Sequence, residues 1–319
     1  AQLGNKSFTG KIYVENNNCT VGEITAKDII LANNGGKDTI EEKGTPTFAN
    51  KATTNEGMYA TEDDYTATTG MKSYYFRGAV NNNWVKFGQV DGKDIYWRII
   101  RINGDGSIRI IYSGTTDPKT DSSVTGSNGV YMTGTGTQIG ISKFNSSFDK
   151  AEYVGYMYTT GDQHGNSTSS TIKTTLENWY AGTTLKDNTL VSQDQIFCND
   201  RSVTSGTWSS SPSSDLFYAP YTRLSASTPR PQLKCPTESD KFTSKDSSTG
   251  IGKKKLEYPV GLITADEAAM AGGNLADGNS SYYLYTNQDY WYGSPYYFSN
   301  GMSGAEKFIV YDNGIIGAI

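Results

Sequence analysis

IYWRIIRINGDGSIRIIYSG, residues 95 to 114, decides how the rest of the chain is read. Two runs rich in Ile, with Tyr and Trp among them, flank Asn103-Gly104-Asp105-Gly106, and that arrangement predicts a β-hairpin closed by a glycine-containing turn. The same four residues resemble part of a calcium loop, but the rest of an EF-hand ligand pattern, including its closing Glu, is missing. Working outward, YYFRGAV and WVKFGQV precede the hairpin, while SYYLYT, YWYGSPYYF and KFIVYDNGIIGAI follow near the end. Each reads as a strand.

Composition agrees with that reading. Hydrophobic residues make up 35% of the 319 positions, yet aromatics reach 12%, and Tyr outnumbers Phe by 23 to 11. Tyr and Thr suit half-buried pleated surfaces, and Gly and Asn suit turns, so the expectation is an α+β, β-rich protein with long polar loops. The net charge is −5, and no basic run exceeds Lys253-Lys254-Lys255. The usual electrostatic footprint of a nucleic-acid binder is therefore absent. No run of eighteen apolar residues predicts a membrane span. Ala1 in place of Met suggests a mature form whose leader has been removed.

Three Cys and one His limit the chemistry. Cys19, Cys198, Cys235 and His164 are too dispersed for a zinc site, and neither metal nor cofactor is expected. Cys198 in IFCNDR and Cys235 in LKCP flank a Ser/Pro-rich loop of the kind a disulfide staples; two unpaired buried thiols are the alternative. Cys19 is then free, paired between chains, or inert.

Residues 1–55 read as a region apart: FTGKIYVEN is a short alternating strand, and KDTIEEKGTPTFANKATTNEG looks like a linker or extended arm. Residues 56–319 form the main domain. STSSTIKTTLENWYAG carries Ile172, Leu176, Trp179 and Tyr180 at helical spacing with Ser170 or Thr171 as cap. In YPVGLITADEAAMAGG, Thr264 and Glu267 form a capping-box pattern before a short helix ended by Gly272 and Gly273.

Six motifs in order, YWRIIRINGDGSIRIIYSG, STIKTTLENWYAG, IFCNDRS, LKCP, YPVGLITADEAAMAGG and YWYGSPYYF…KFIVYDNG, together resemble a group of secreted or surface-attached domains of Gram-positive gut bacteria. Those domains look like distant relatives of formylglycine-generating-enzyme-type proteins. The resemblance covers roughly residues 75–319 and implies a variant of the C-type lectin fold, with one or two helices packed on small twisted antiparallel sheets. The family continues into a closing strand with a motif like GVRPV, whereas here the last residues are GIIGAI. That strand is then missing from this chain or supplied by a neighbour.

YWYGSPYYF, residues 290–298, raises the question of core against contact surface. Strand alternation puts Tyr290, Tyr292 and Ser294 on one face and Trp291 on the other, with Trp291 as the core anchor. Tyr interleaved with Ser, Gly and Asn is the composition of antibody-like contact surfaces. The ligand-contact candidates are Tyr283, Tyr285, Asn287, Asp289, Tyr290, Tyr292, Tyr296, Tyr297 and Asn300. Asp266 and Glu267 are better explained by capping and the helix dipole than as an acid/base pair. Asp200 and Arg201 read as a local brace.

No G-x-S-x-G nucleophile motif is present and His164 has no partner His, so no enzymatic activity is expected. The expected function is an extracellular, cell-surface adhesin or ligand-display module meeting a protein or glycan. The alternative is a filament or pilus subunit, a head-to-tail homopolymer in which Phe8, Ile12 and Val14 of the N-terminal strand complete a neighbour's sheet.

Overall fold

A computed structural model describes residues 24–62, 71–120, 130, 132–245, 252–302 and 304–319. The predicted assembly strand with Phe8, Ile12 and Val14, and Cys19, lie outside the described residues.

The hairpin forms as the sequence predicts and is the hub of the first sheet. Strands β1 (Asn55–Thr61), β2 (Ser73–Gly78), β3 (Trp84–Val90), β4 (Lys93–Ile102) and β5 (Ile108–Tyr112) pair antiparallel, and β4 contacts β2, β3 and β5. Ile102 pairs with Ile108, and the Asn103 N–H donates to the Ser107 carbonyl at 2.8 Å. Gly106 takes φ +87°, which the turn requires and a side chain would resist. Asp105 accepts from the backbone N–H and hydroxyl of Ser107, so its carboxylate closes the turn.

Small pairs follow: β6 (Met157–Tyr158) with β7 (Thr168–Ser169), and β8 (Phe197–Cys198) with β11 (Lys241–Phe242). The second sheet runs β14 (Ile316–Ala318), β13 (Gly304–Val310), β12 (Tyr290–Ser299), β10 (Leu216–Tyr218), β9 (Val203–Ser205), again antiparallel. Five helices complete the described residues: α1 (Ala26–Ala32), α2 (Lys37–Glu42), α3 (Thr171–Ala181), α4 (Ala219–Leu224) and α5 (Ala265–Ala271). The protein is a mixed, sheet-rich α+β structure with few helices.

Helix α5 joins the two sheets. All seven of its residues are buried, and its alanines sit in one core with Tyr74 and Phe76 of β2, Ile100 and Ile102 of β4, and Tyr292 and Phe308 of the second sheet. Small side chains let the helix approach both sheets closely. Thr264 and Glu267 form the predicted capping box, and Gly272 ends the helix at φ +116°. A Cβ on Gly272 would meet that of Ala52 at 2.7 Å, so glycine is needed for space as well as for conformation. The Arg77 guanidinium donates to the Ala269 and Met270 carbonyls at 2.9 and 3.2 Å, satisfying the last turn.

Helix α3 also matches its prediction. Ser170 caps it, with the Lys173 N–H donating to Oγ at 3.2 Å, and Ile172, Leu176 and Tyr180 are buried. Trp179 stays half-buried against Trp97 and Tyr112 of the hairpin.

Three readings of the sequence need correction. SYYLYT, residues 281–286, read as a strand, forms a bend and a turn whose Tyr282, Tyr283 and Leu284 fill the core. The stretch 37–57 expected to be a linker holds α2 and the start of β1, and Leu31 and Ile40 join the core around α5. Its polarity misleads because one apolar residue per short helix suffices for anchoring. Likewise the Ser/Pro-rich loop between the cysteines contains β9, β10 and α4. Pro220, in the first turn of α4, is the helix-start signal within that stretch. Cys198 and Cys235 form the disulfide across it, closing a separation of 37 residues.

Candidate functional site

Strand β12 is covered on both sides. Tyr292 is fully buried beside α5, while Trp291 packs edge-on against Phe144 in a second core cluster and donates Nε1–H to the Ser142 carbonyl at 2.9 Å. Trp291 thus anchors one side, as expected, but the other side is as much core as surface. The Tyr290 and Tyr292 rings lie 5.5 Å apart on their shared side, and the Ser294 hydroxyl there accepts the first N–H of α5 at 3.0 Å.

The proposed contact residues divide into three groups. Tyr283 and Tyr292 are buried at 2% and 0% exposure, and they cannot form part of a surface. Burial pushes both hydroxyls well above the ordinary tyrosine range, with the positive charge of Arg98 opposing the shift at Tyr283. Tyr290 is partly buried in the same core and donates to the Leu284 carbonyl at 3.0 Å. A second group is the turn before β12: Tyr285 donates to Asn287 at 3.1 Å, Asn287 takes φ +54°, and Asp289 accepts the Asp312 N–H at 2.7 Å. The third group, Tyr296, Tyr297 and Asn300, lies at the other end of the strand. Ten residues of strand span roughly 30 Å, so the second and third groups belong to different ends of the molecule's second sheet.

A bulge shapes the third group. Pro295 pairs with Lys307 and Phe298 with Ala305, so Tyr296 and Tyr297 together oppose the single residue Glu306. The extra residue breaks alternation and brings both half-exposed rings to one side, 5.3 Å apart. Phe217 of β10 stacks on Tyr297 at 5.7 Å and on Tyr221 of α4 at 5.3 Å, and Tyr221 meets Tyr296 at 4.5 Å. These four half-exposed rings form a closed cluster, with Phe308 beneath Tyr296 at 4.7 Å.

Glu306 borders the cluster. Burial raises its carboxyl above the ordinary glutamate value and outweighs a hydrogen bond from Tyr297; Asp215 adds to the rise. Burial likewise pushes Tyr296 up to about 12. Asn300 is fixed beside this end, its N–H donating to Asp215 at 2.8 Å and its amide to the Ser213 carbonyl at 3.2 Å. Phe217, Tyr221 and Glu306 were not singled out from the sequence. The signal was DLFYAPYTRL, where aromatic residues interrupt an otherwise Ser-rich stretch.

A second polar centre sits behind the disulfide. Glu267 accepts from Arg101 and, at 2.7 Å, from Arg109 Nε, while its other oxygen accepts the Thr264 N–H at 2.8 Å. Burial opposes its charge, yet Arg109 and Arg101 prevail and hold the carboxyl below the usual glutamate value. Asp266 receives two bonds from Arg223, at 2.6 and 2.8 Å, and Arg223 also reaches Asp200 at 2.8 Å. Asp200 and Arg201 thus find their ion pairs elsewhere, with Arg223 and Asp240. Both brace loops through hydrogen bonds: the Ser202 N–H donates to Asp200 at 3.2 Å, and Arg201 donates to the Met157 and Gly165 carbonyls at 2.9 and 3.0 Å. With both carboxylates occupied by guanidinium groups, this centre braces α5 rather than offering an open site.

Among the described residues no cluster of three metal-ligating side chains occurs, and no helix is long and apolar enough to cross a membrane. Compared with known proteins, the chain matches no family model, no curated protein and no solved structure.

Proposed function

We propose that this chain is an extracellular, non-enzymatic binding module of C-type-lectin-like architecture, which captures a protein or glycan on the aromatic cluster of its second sheet. The observation that carries this reading is the closed cluster of Phe217, Tyr221, Tyr296 and Tyr297, half-exposed and bordered by Glu306. Each ring leans on two others, so the surface is rigid before a ligand arrives and loses little side-chain entropy on contact. Phenolic hydroxyls supply donors and acceptors at its edge, and Glu306 adds a strong acceptor. The disulfide agrees with an oxidising, extracytoplasmic setting. The family resemblance and the packing of α3 and α5 against antiparallel sheets support the lectin-like architecture.

The test is a glycan and protein array probed with purified wild-type chain and with Tyr221→Ala and Tyr297→Ala. Specific capture lost in both variants supports the reading. Capture unchanged in both, or turnover of a captured ligand, overturns it.

A further inference from the structure

Lys253-Lys254-Lys255 is the one basic run of an acidic chain, and two of its residues sit in strained backbone. Lys254 and Lys255 have φ +58° and +80°. Among the described residues, fourteen other left-handed positions are glycines, and the remaining two are Asp91 and Asn287, whose short polar side chains tolerate that region. Two successive lysines there are disfavoured relative to an ordinary conformation, because each Cβ crowds the following carbonyl oxygen.

The surrounding contacts hold the strain in place. Thr243 donates its N–H to the Lys254 carbonyl at 3.1 Å, and its hydroxyl accepts the Lys254 N–H at the same distance. The Leu256 N–H donates to the Thr243 carbonyl, and Leu256 is buried. On the far side, the Glu257 N–H donates to Glu177 of α3 at 2.8 Å, while the other oxygen of Glu177 pairs with Lys173 at 2.7 Å. The loop is therefore tied at both ends, and its lysine side chains are left exposed at the middle.

Between this loop and α3 lies an open groove of about 750 Å³. Lys173 is neutralised by Glu177, and Lys253 approaches the exposed Glu238 at 3.6 Å. No ion pair of Lys254 or Lys255 forms among the described residues. Ser169, Thr174 and Asn178 add hydroxyl and amide groups to the wall, and no aromatic ring lines it among the described residues.

We propose that this groove binds an anionic glycan carrying phosphate or sulfate esters, with Lys254 and Lys255 meeting the charge and the α3 side chains meeting sugar hydroxyls. A strained pair of cations in a loop tied at both ends is an arrangement that stability alone disfavours, and strain of this kind concentrates where a side chain has work with a ligand. Lysine suits a phosphate or sulfate as a compact charge. A nucleic acid is the poorer fit, because among the described residues the wall lacks rings for stacking bases. This site shares none of its residues with the aromatic cluster.

The experiment is a titration at low and moderate ionic strength with a sulfated oligosaccharide, a phosphate-ester glycan polymer, an uncharged oligosaccharide and a single-stranded oligonucleotide. Lys254→Gly/Lys255→Gly removes the cations and relieves the strain, so this variant should melt at the same temperature as wild type or higher, yet bind the preferred ester about tenfold more weakly. Lys254→Arg/Lys255→Arg should retain binding, and Tyr297→Ala should leave it unchanged. Salt should weaken it. Equal binding by the glycine variant, no binding of either ester by wild type at low salt, or preference for the oligonucleotide would each overturn the proposal, and the two ester arms identify which anion the groove takes.

Discussion

Tyr296 and Tyr297 are consecutive in β12, yet their rings lie 5.3 Å apart on one side of the strand because both oppose Glu306. A regular strand would send them to opposite faces. The bulge turns a core strand into one that is buried at Tyr292 and half-exposed five residues later.

That division gives the first prediction. Tyr292→Ala removes a fully buried ring and should cost about 3–5 kcal/mol in denaturant unfolding. Tyr297→Ala, at a half-exposed position, should cost no more than about 1.5 kcal/mol, even counting its ring contacts. Equal losses at the two positions would mean that the cluster is core.

Burial of the Glu267 carboxylate with two guanidinium groups gives the second. Glu267→Gln leaves Arg101 and Arg109 buried without their counter-charge, at a cost of about 3–5 kcal/mol at neutral pH. Because the folded chain holds this carboxyl below its ordinary value of 4.5, the stabilisation is present above that pH and is lost as pH falls through the folded value. The wild-type advantage over Glu267→Gln should therefore shrink on acidification. A difference between the two that stays constant from neutral pH to the acid transition would contradict the assignment.

The disulfide supplies a third. Closing a separation of 37 residues restricts the unfolded chain by roughly 3–4 kcal/mol in the loop-entropy account. Cys198→Ala/Cys235→Ala should lower the urea midpoint correspondingly, and reductant should shift wild type toward the variant while leaving the variant unmoved. Identical midpoints for oxidised wild type and variant would show that the bridge contributes nothing.

How much of this was legible in the sequence follows from where local pattern and tertiary context agree. The hairpin at Asn103–Gly106, the α3 face of Ile172, Leu176 and Tyr180, and the Thr264–Glu267 capping box are local devices whose residues act within a few positions of one another, and each is found where it was expected. The aromatic cluster is not local: Phe217 and Tyr221 come from a stretch that reads as loop, and they meet Tyr296 and Tyr297 only through sheet pairing and a bulge. Alternation could not separate Tyr292 from Tyr297, since an inserted residue resets the period without leaving a mark in composition. The arginines show the same limit. Nothing local in the hairpin marks Arg98, Arg101 and Arg109 as interior residues, yet all three are buried.

Lys307 carries the last prediction. Its side chain is buried on β13 with no hydrogen-bond partner for Nζ among the described residues, and Nζ sits 4.2 Å from the centre of the Phe144 ring. Burial, with the nearby charge of Arg201 adding to it, holds the amine well below the ordinary lysine value of 10.5. A cation–π contact offsets only about 1–2 kcal/mol of the cost of removing an ammonium from water. Lys307→Met keeps the length of the chain and removes the polar head, so it should stabilise the protein by about 1–3 kcal/mol at neutral pH. Across the window between the folded value and 10.5 the unfolded chain binds more protons at this position, so wild-type stability should gain on the variant as pH rises. Unfolding curves for both proteins at neutral and alkaline pH decide it: a destabilised Met variant, or a gap between the two that widens with pH, would show that the amine has a partner in the folded protein.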